Sequence, residues 1–388
     1  MSRREGGITQ RGLTSWQLTF DVATADGKRK TVRETVHAPN RTAAQKLLTA
    51  RLAERDNGSR VEPNNTTVAE AVETSIAAAN YVAKFAARAR EIATLHIVPA
   101  LGHYRLQDLK PNDIAEWQLT LQNKRHRGRP LAGATLVQIS KILRQALKRA
   151  TTLGLLTRNP ALGVPLPKGE RKIMTVLSAA QFAELIDGLA ADPWPTMARL
   201  APLAHCAGYT GARLAEILAM QRGDLDLVNG RWRLQRSFEE VAGAIVARPC
   251  KTRSSRRTIR LGPALVAFLS RHLAAQAERR LAQGHRVGPD DLVFDDGAGR
   301  SIHPNRVSAD WGKALKRLQF TPRINFHALR HFYASFAIAA GHSVLELSRD
   351  LGHSSVVITL SLYAHLIPNA GSSAAAVEAL LAAGRSQP

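Results

Sequence analysis

Two basic side chains one helical turn apart carry the sharpest chemical signal in the chain. His327 and Arg330 lie in the segment HALRH, within an otherwise mostly apolar helical pattern. An imidazole beside a guanidinium suits an anion that gains charge during a reaction, such as a phosphate under attack. The segment does not have the HExxH pattern of zinc enzymes, and an arginine among the ligands would oppose a metal cation. The pair therefore predicts a site that binds a reacting anion, such as a phosphate, without a metal ion.

Other segments hold polar residues that suit the same chemistry, although each has an ordinary structural explanation when taken alone. The arginine and glutamate of one helical segment have the i, i+3 spacing of a surface ion pair, and a lysine between strands is usually solvated. A histidine follows a glycine that predicts a helix end. These residues are Arg213 and Glu216 in TGARLAEIL, Lys251 in KTRSSRR, and His353 and Tyr363 in LGHSSVVITLSLY. Arg253 and Arg256, close behind Lys251, are candidate contacts to nucleic acid.

The net charge of the chain indicates which kind of molecule it binds. Of the 388 residues, 54 are Lys or Arg and 31 are Asp or Glu, a formal charge of +23. Residues 1–60 carry 12 basic against 6 acidic side chains, residues 61–175 carry 17 against 8, and residues 176–388 carry 25 against 17. This spread excludes a neutral protein with a single basic tail. It favours binding to polyanions, with nucleic acid ahead of an anionic membrane.

The remaining composition is that of a folded protein with several domains. Hydrophobic residues make up 45% and charged residues 22%. The two cysteines, Cys206 and Cys250, are too few for a disulfide framework or a cysteine-based zinc site. We find no run of about 18 apolar residues, and the polar start does not resemble a signal peptide. We therefore expect a cytoplasmic protein that does not enter a membrane.

Residues 1–58 predict a small sheet followed by a helix. Apolar and polar residues alternate from Trp16 to Val22, as in a half-buried strand, and Asp26-Gly27 indicates a hairpin before a return strand over residues 30–36. A helical pattern follows, and residues 57–65 have the composition of a linker. The hairpin also carries three candidate contacts to nucleic acid, Lys28, Arg29 and Lys30.

Residues 66–165 have a helical pattern throughout. We predict helices over residues 80–98, 111–123 and 133–152, preceded by one that Thr66 or Thr67 caps, with Glu70 at capping-box spacing. A basic loop joins two of these helices, and its alternatives are a solvated surface or a set of phosphate contacts. We favour phosphate contacts for its basic residues, Lys124, Arg125, Arg127 and Arg129.

The rest of the chain predicts a mixed α+β domain over residues 175–370, with short strands near 231–236, 244–250 and 256–261. A second linker over 164–172 precedes it, and residues 371–388 form a tail with an alanine-rich helix candidate. The predicted fold class is therefore multidomain and mainly α, with a sheet-plus-helix N-terminal domain, an all-α domain and an α+β domain.

The order and spacing of the candidate residues resemble the active-site series of the tyrosine recombinase, or phage integrase, family. The matching segments are TGARLAEILAM, KTRSSRRTIRL, HALRHFYAS and LGHSSVVITLSLYAH. Residues 175–370 resemble the catalytic domain, residues 66–165 the helical core-binding domain of SAM-like type, and residues 1–58, more loosely, an arm-type DNA-binding domain. The six residues that correspond to the catalytic series are Arg213, Lys251, His327, Arg330, His353 and Tyr363.

The resemblance implies how these side chains act on a DNA phosphodiester. Tyr363 attacks and gives a 3′-phosphotyrosine, with His327 as the candidate base and Lys251 as the candidate acid for the 5′-oxygen. The two arginines bind the non-bridging oxygens, assisted by His353, while Glu216 orients the first arginine. A rival nucleophile, Tyr333, lies in an apolar segment and is interpreted as a core residue. Neither a metal nor ATP is expected as a cofactor.

The resemblance also implies partners and leaves alternatives open. We expect an integrase of a mobile genetic element that acts on double-stranded attachment sites as a homotetramer, within the nucleoid. An excisionase and a DNA-bending protein are possible partners, and the helix candidate Ser372–Ala383 is expected to pack on a neighbouring copy or on its own chain. The alternatives are a Xer-like dimer resolvase, a strand-swivelling topoisomerase and a catalytically inactive DNA-binding relative.

Overall fold

The computed structural model describes residues 6–23, 29–56, 61–126, 128–167, 175–241, 243–250 and 255–366. These residues are mainly helical with small antiparallel sheets, which confirms the predicted fold class. The chain divides into two units, Met1–Arg171 and Lys172–Pro388. Within the described residues, no helix has the length and apolar character that crossing a membrane requires.

The first unit begins with a three-stranded antiparallel sheet in the order β1-β2-β3, followed by helix α1. The predicted alternation in β2 buries Leu18 and Phe20 against Leu48 of α1. The sequence analysis missed β1 because this short strand is mostly exposed and has no apolar alternation. The bounds are Gly7–Gln10 for β1, Ser15–Ala23 for β2, Arg29–His37 for β3 and Arg41–Asp56 for α1.

Five helices and a short hairpin complete the first unit. Thr67 caps α2 in a reciprocal capping box with Glu70, as predicted. The predicted helix over residues 80–98 consists of α3, a π turn over Ala93–Ile97 and α4. The bounds are Val68–Ala78 for α2, Ala83–Ile92 for α3, Val98–Leu101 for α4, Pro111–Asn123 for α5, Arg125–His126 for β4, Arg129–Pro130 for β5 and Gly133–Thr152 for α6. The domain boundaries proposed within this unit stay predictions.

The second unit combines nine helices with five strands among its described residues. Strands β10, β7 and β6 form one antiparallel sheet in that order, and β8 and β9 form a separate hairpin. The helices are α7 Ala179–Ala190, α8 Pro195–Ala198, α9 Leu200–Thr210, α10 Leu214–Leu218, α11 Pro263–Ala282, α12 Pro304–Arg317, α13 Ala328–Ala339, α14 Val344–Leu351 and α15 Val356–Tyr363. The strands are β6 Leu225–Asp226, β7 Arg231–Leu234, β8 Arg236–Val241, β9 Ala244–Pro249 and β10 Arg257–Arg260.

Helix α13 lies between the main core of this unit and a smaller apolar cluster. Leu329 and Phe332 belong to the main core, where the Phe332 ring stacks on that of Phe182 at 4.5 Å between centroids. Residues of the next turns, Ala334 and Ile338, pack in the smaller cluster, which also contains residues of α14 and α15. Because α13 is fixed from both sides, the polar side chains of its first turn are held in place.

Two glycines in the left-handed conformation end the helices that precede candidate residues. Gly211 (φ 63°) ends α9, and Gly352 (φ 64°) ends α14, as the sequence predicted for the latter. A side chain at Gly211 is further excluded because an added Cβ would lie 2.4 Å from Cδ1 of Tyr333. Each helix therefore stops sharply, which places Arg213 and His353 just beyond helix ends and not on helix faces.

Candidate active site

Three arginines converge on the C-terminal end of α14. A helix C-terminus carries partial negative charge, and its last carbonyls have no partners within the helix. Here three consecutive carbonyls each accept a hydrogen bond from a different guanidinium group, so that one helix end aligns three cations from distant parts of the sequence. The pairs are Arg257 Nε with Asp350 O at 2.6 Å, Arg330 Nη2 with Leu351 O at 2.6 Å, and Arg213 Nη2 with Gly352 O at 3.3 Å.

A buried carboxylate links two of these arginines. Glu216 Oε1 accepts a hydrogen bond from Arg213 Nη1 at 2.8 Å, and its Oε2 accepts one from Arg257 Nη2 at 3.0 Å. Burial alone would raise the pKa of the Glu216 carboxyl, but the charges of Arg257 and Arg213 lower it below its ordinary value. The Arg213 side chain is still 40% exposed, so its guanidinium is oriented by Glu216 and open to an incoming anion.

Arg330 is the most deeply buried of the three arginines. It is 3% exposed and also donates from Nη1 to the carbonyl of Gly211 at 2.8 Å. Burial and the nearby charge of Arg213 lower its pKa to about 10. This value is still well above neutrality, so the guanidinium keeps its charge at pH 7. The end of α9 and the end of α14 thus fix one buried cation between them.

Two histidines lie among these cations. Burial, followed by the charges of Arg330 and Arg213, lowers the pKa of His327. The same causes, in the same order, lower the pKa of His353 to about 4, and its Nδ1 lies 2.8 Å from Thr359 Oγ1. Both rings are therefore neutral at pH 7 in the DNA-free protein.

Tyr363 completes the cluster at the end of α15. Its side chain is 1% exposed, and its hydroxyl lies 2.6 Å from Nδ1 of His331. Burial raises the pKa of Tyr363 to about 12, against the opposing charge of Arg330. The rival Tyr333 lies on α13 and donates to Asp350 Oδ2 at 3.4 Å, and burial together with that carboxylate raises its pKa to about 12.

The structure thus assembles most of the residues that the sequence singled out for chemistry. Arg213, Glu216, His327, Arg330, His353 and Tyr363 form one cluster, whereas Lys251 and Arg253 lie outside the described residues. The sequence analysis gave no role to His331 or Arg257. The first stands four residues after His327, the spacing of one helix face, and the second ends the basic run KTRSSRR, of which only Lys251, Arg253 and Arg256 were candidates. Within the described residues, no group of three or more His, Cys, Asp or Glu side chains is arranged to hold a metal.

The candidate DNA contacts outside this cluster are surface residues wherever they are described. Lys124, Arg125 and Arg129 are exposed at the β4–β5 hairpin, and Lys124 Nζ also donates to the carbonyl of Leu95 at 2.8 Å. Arg256 and Lys30 are exposed as well, and Lys30 forms a 3.6 Å ion pair with Glu62. Arg29 begins β3, but its side chain is not described, and Lys28 and Arg127 lie outside the described residues, as do Asp26-Gly27 and the tail over 367–388. Their contacts to DNA stay predictions.

The lowered pKa values of the clustered histidines predict a loss of stability in mild acid. His331 and His353 titrate near 4 in the folded chain, whereas an unfolded histidine titrates near 6.5. The unfolded state therefore binds more protons between these values, so stability that is complete above about pH 6.5 is lost as the pH falls toward 4. We expect the thermal midpoint of the DNA-free chain to decrease between pH 7 and pH 5, and the double variant His331→Asn/His353→Asn to show a smaller decrease. Equal decreases in both proteins would show that these two histidines do not cause the loss of stability in acid.

Comparisons with known proteins agree with this architecture. Residues 175–369, half of the chain, match the family described as "Phage integrase family". The chain is 26% identical over 391 residues to an "Integrase" of Streptomyces ambofaciens, covering 93% of this chain and 92% of the relative. It is 28% identical over 242 residues to the "ICEBs1 integrase" of Bacillus subtilis, covering 60% and 61%. The fold is similar to that of the Tn1549 transposon integrase in complex with transposon right end DNA, with a TM-score of 0.69, 19% identity, and coverage of 81% of this chain and 99% of that one.

Proposed function

Because the chain belongs to the phage integrase family, whose members are site-specific DNA recombinases, we propose that it cuts and rejoins duplex DNA through a 3′-phosphotyrosine formed on Tyr363. The observation that carries the proposal is the convergence of Arg213, Arg330 and His353 at the end of α14, with Tyr363 close enough for Arg330 to affect its pKa. This arrangement offers several cationic and polar donors to one phosphate and a hydroxyl to attack it.

The arginines supply the electrostatic part of the reaction. The negative charge on the non-bridging oxygens rises from one toward two as the phosphorus becomes five-coordinate, and a guanidinium donates to such oxygens in a fixed fork geometry. Glu216 and the carbonyls at the end of α14 hold Arg213 and Arg330 before DNA arrives, so little reorganisation is required when charge develops. Arg257 contributes indirectly, because it fixes both Glu216 and the helix end.

The nucleophile requires help to ionise. With a pKa of about 12, only about one Tyr363 hydroxyl in 100,000 is ionised at pH 7. A neutral histidine is the natural proton acceptor at this pH, and the cluster holds several. The family motif assigns the base to His327, and burial, together with the charges of Arg330 and Arg213, lowers the pKa of its ring and favours the neutral form.

The leaving 5′-oxygen requires a proton, and the motif assigns that proton to Lys251. We expect Lys251→Ala to slow cleavage of an ordinary strand by about 10²-fold or more, the usual contribution of a general acid. A substrate with sulfur in place of the scissile 5′-oxygen should be cleaved at nearly the parental rate, because a thiol is far more acidic than an alcohol and leaves without protonation.

The matched control for this prediction is Arg253→Ala, which removes a neighbouring charge without removing the proposed acid. The rate of covalent adduct formation is measured in a single turnover on the ordinary strand and on the sulfur-substituted strand. The ratio of these two rates in Arg253→Ala should equal the ratio in the parent protein. An equal defect of Lys251→Ala on both strands would assign the proton to another group.

We propose that the substrates are the attachment sites of a mobile genetic element. The integrase relatives and the DNA-bound Tn1549 transposon integrase support this choice. Four copies would act on two duplexes in the nucleoid, with an excisionase and a DNA-bending protein as candidate partners. A Xer-like dimer resolvase is the second candidate, since a "Tyrosine recombinase XerC-like" protein of Caldanaerobacter subterraneus is 27% identical over 293 residues.

Covalent trapping on a library of DNA sequences tests the proposed function and identifies the target site in one experiment. The full chain is incubated with randomised duplexes that carry a nick, so that a short 5′-hydroxyl fragment diffuses away after cleavage and the adduct persists. We expect an adduct that resists SDS, and sequencing of the trapped strands should return a defined site. The absence of any adduct would favour the alternative of a catalytically inactive DNA-binding protein. Adducts without sequence preference would favour a topoisomerase, and recombination only between identical copies of the selected site would favour a dimer resolvase.

A further inference from the structure

The hydroxyl of Tyr363 is hydrogen-bonded to a histidine that is not among the six residues of the catalytic series. His331 stands one turn after His327 on α13, and its Nδ1 lies 2.6 Å from the hydroxyl oxygen, a short hydrogen bond. We propose that His331 is the proton acceptor for Tyr363 during strand cleavage, an inference that rests on the proposed function of Tyr363 as the nucleophile.

The geometry favours His331 over His327 as the acceptor. The ring of His327 lies edge-on to that of His331, at 5.1 Å between centroids and 89° between planes. Within the described part of the chain, the hydrogen bond recorded for the Tyr363 hydroxyl is the one to His331. His327 thus lies against the ring of His331, whereas His331 is already in contact with the reacting oxygen.

The protonation state of His331 agrees with this role. Burial, followed by His327 and Arg330, lowers its pKa to about 4, so the ring is neutral at pH 7. A neutral ring can accept the tyrosine proton at Nδ1 only when the other nitrogen, Nε2, carries the hydrogen, and the proposal requires this tautomer. The negative charge of a bound DNA backbone would counter the arginines and raise the affinity of this ring for a proton.

The step balances without an external reagent. The Tyr363 oxygen forms a bond to phosphorus while its proton moves to His331 Nδ1, and the bond from phosphorus to the 5′-oxygen breaks. The 5′-oxygen takes a proton from the acid assigned to Lys251. Rejoining reverses each transfer, so His331 returns its proton to the tyrosine and is neutral again for the next cycle.

Packing in the smaller apolar cluster stabilises the contact between the Tyr363 hydroxyl and His331. Tyr363 packs with Leu347 and Leu351 of α14 and with Ala334 and Ile338 of α13, the helix that carries His331. Helix α13 therefore supplies both the wall behind the phenol ring and the nitrogen that meets its hydroxyl. This packing keeps the hydroxyl oxygen beside its acceptor in the DNA-free chain.

The test compares three variants by the single-turnover rate of adduct formation on the nicked duplex selected by the parent protein. We expect His331→Ala to be slower by about 10²–10⁴-fold, the usual range for a general base, and to recover at least about tenfold when imidazole is added. His331→Gln keeps a hydrogen-bonding group beside the hydroxyl but cannot take the proton, so it should fold and remain slow. His327→Ala should be slow without recovering in imidazole.

Other outcomes overturn the proposal. A parental rate for His331→Ala or His331→Gln would exclude proton acceptance, and a faster rate would make the contact a restraint on the nucleophile. Recovery in imidazole by His327→Ala but not by His331→Ala would assign the base to His327. If His331→Ala does not fold, the rate of His331→Gln decides alone. Absence of an adduct with the parent protein would instead contradict the proposed function, which separates the two failures.

Discussion

Tyr363→Phe is expected to bind the selected duplex with parental affinity and to form no covalent adduct. The change removes one oxygen and keeps the ring that packs against α13 and α14. Removal of a nucleophile from an enzyme that depends on it costs several orders of magnitude in rate, here the whole of the chemical step. Binding persists because most of the affinity for DNA comes from basic side chains that the substitution leaves in place.

A second tyrosine provides the matched control. Tyr333→Phe removes a hydroxyl from a partly buried tyrosine of α13, where it contacts Asp350 and not a histidine. We expect it to form adduct at close to the parental rate. SDS gels of adduct and gel-shift assays of binding measure the two properties separately. An adduct that survives Tyr363→Phe would move the nucleophile elsewhere, and its loss in Tyr333→Phe would point to that residue.

Arg330→Ala is expected to lose 10²–10³-fold in cleavage rate. Removal of one oxyanion donor costs about 2.7–4 kcal/mol of transition-state stabilisation, which corresponds to this factor. The same change also leaves the carbonyls of Gly211 and Leu351 without the donors that Arg330 provides. Because an unsatisfied buried carbonyl costs about 1–3 kcal/mol, the free energy of unfolding should fall as well.

Two further substitutions separate catalysis from folding. Arg330→Lys keeps the charge but cannot bind two carbonyls and a phosphate in fork geometry, so it should remain slow while losing less stability. Arg349→Ala, at an exposed arginine of α14, should leave both quantities unchanged. Adduct rates and thermal midpoints of the three variants check this. Parental cleavage by Arg330→Ala would exclude this arginine from the phosphate site.

The sequence by itself determined the local structure and the types of side chain that carry chemistry. The alternation from Trp16 to Val22, the Thr67–Glu70 cap and the helix end at Gly352 each depend on a few neighbouring residues, so they were predicted correctly. The order of Arg213, His327, Arg330, His353 and Tyr363 likewise identified the family and the kind of reaction from side-chain type and spacing.

Only the tertiary structure decided which of these groups meet. The Tyr363 hydroxyl and its histidine partner are 32 residues apart, and the contact depends on how α13 and α15 pack. Arg257 reaches the carbonyl of Asp350 across 93 residues, and Arg213 reaches that of Gly352 across 139. Backbone carbonyls have no sequence signature, because every residue carries one. The end of α14 became an arginine-binding site only when folding brought three distant guanidinium groups to it.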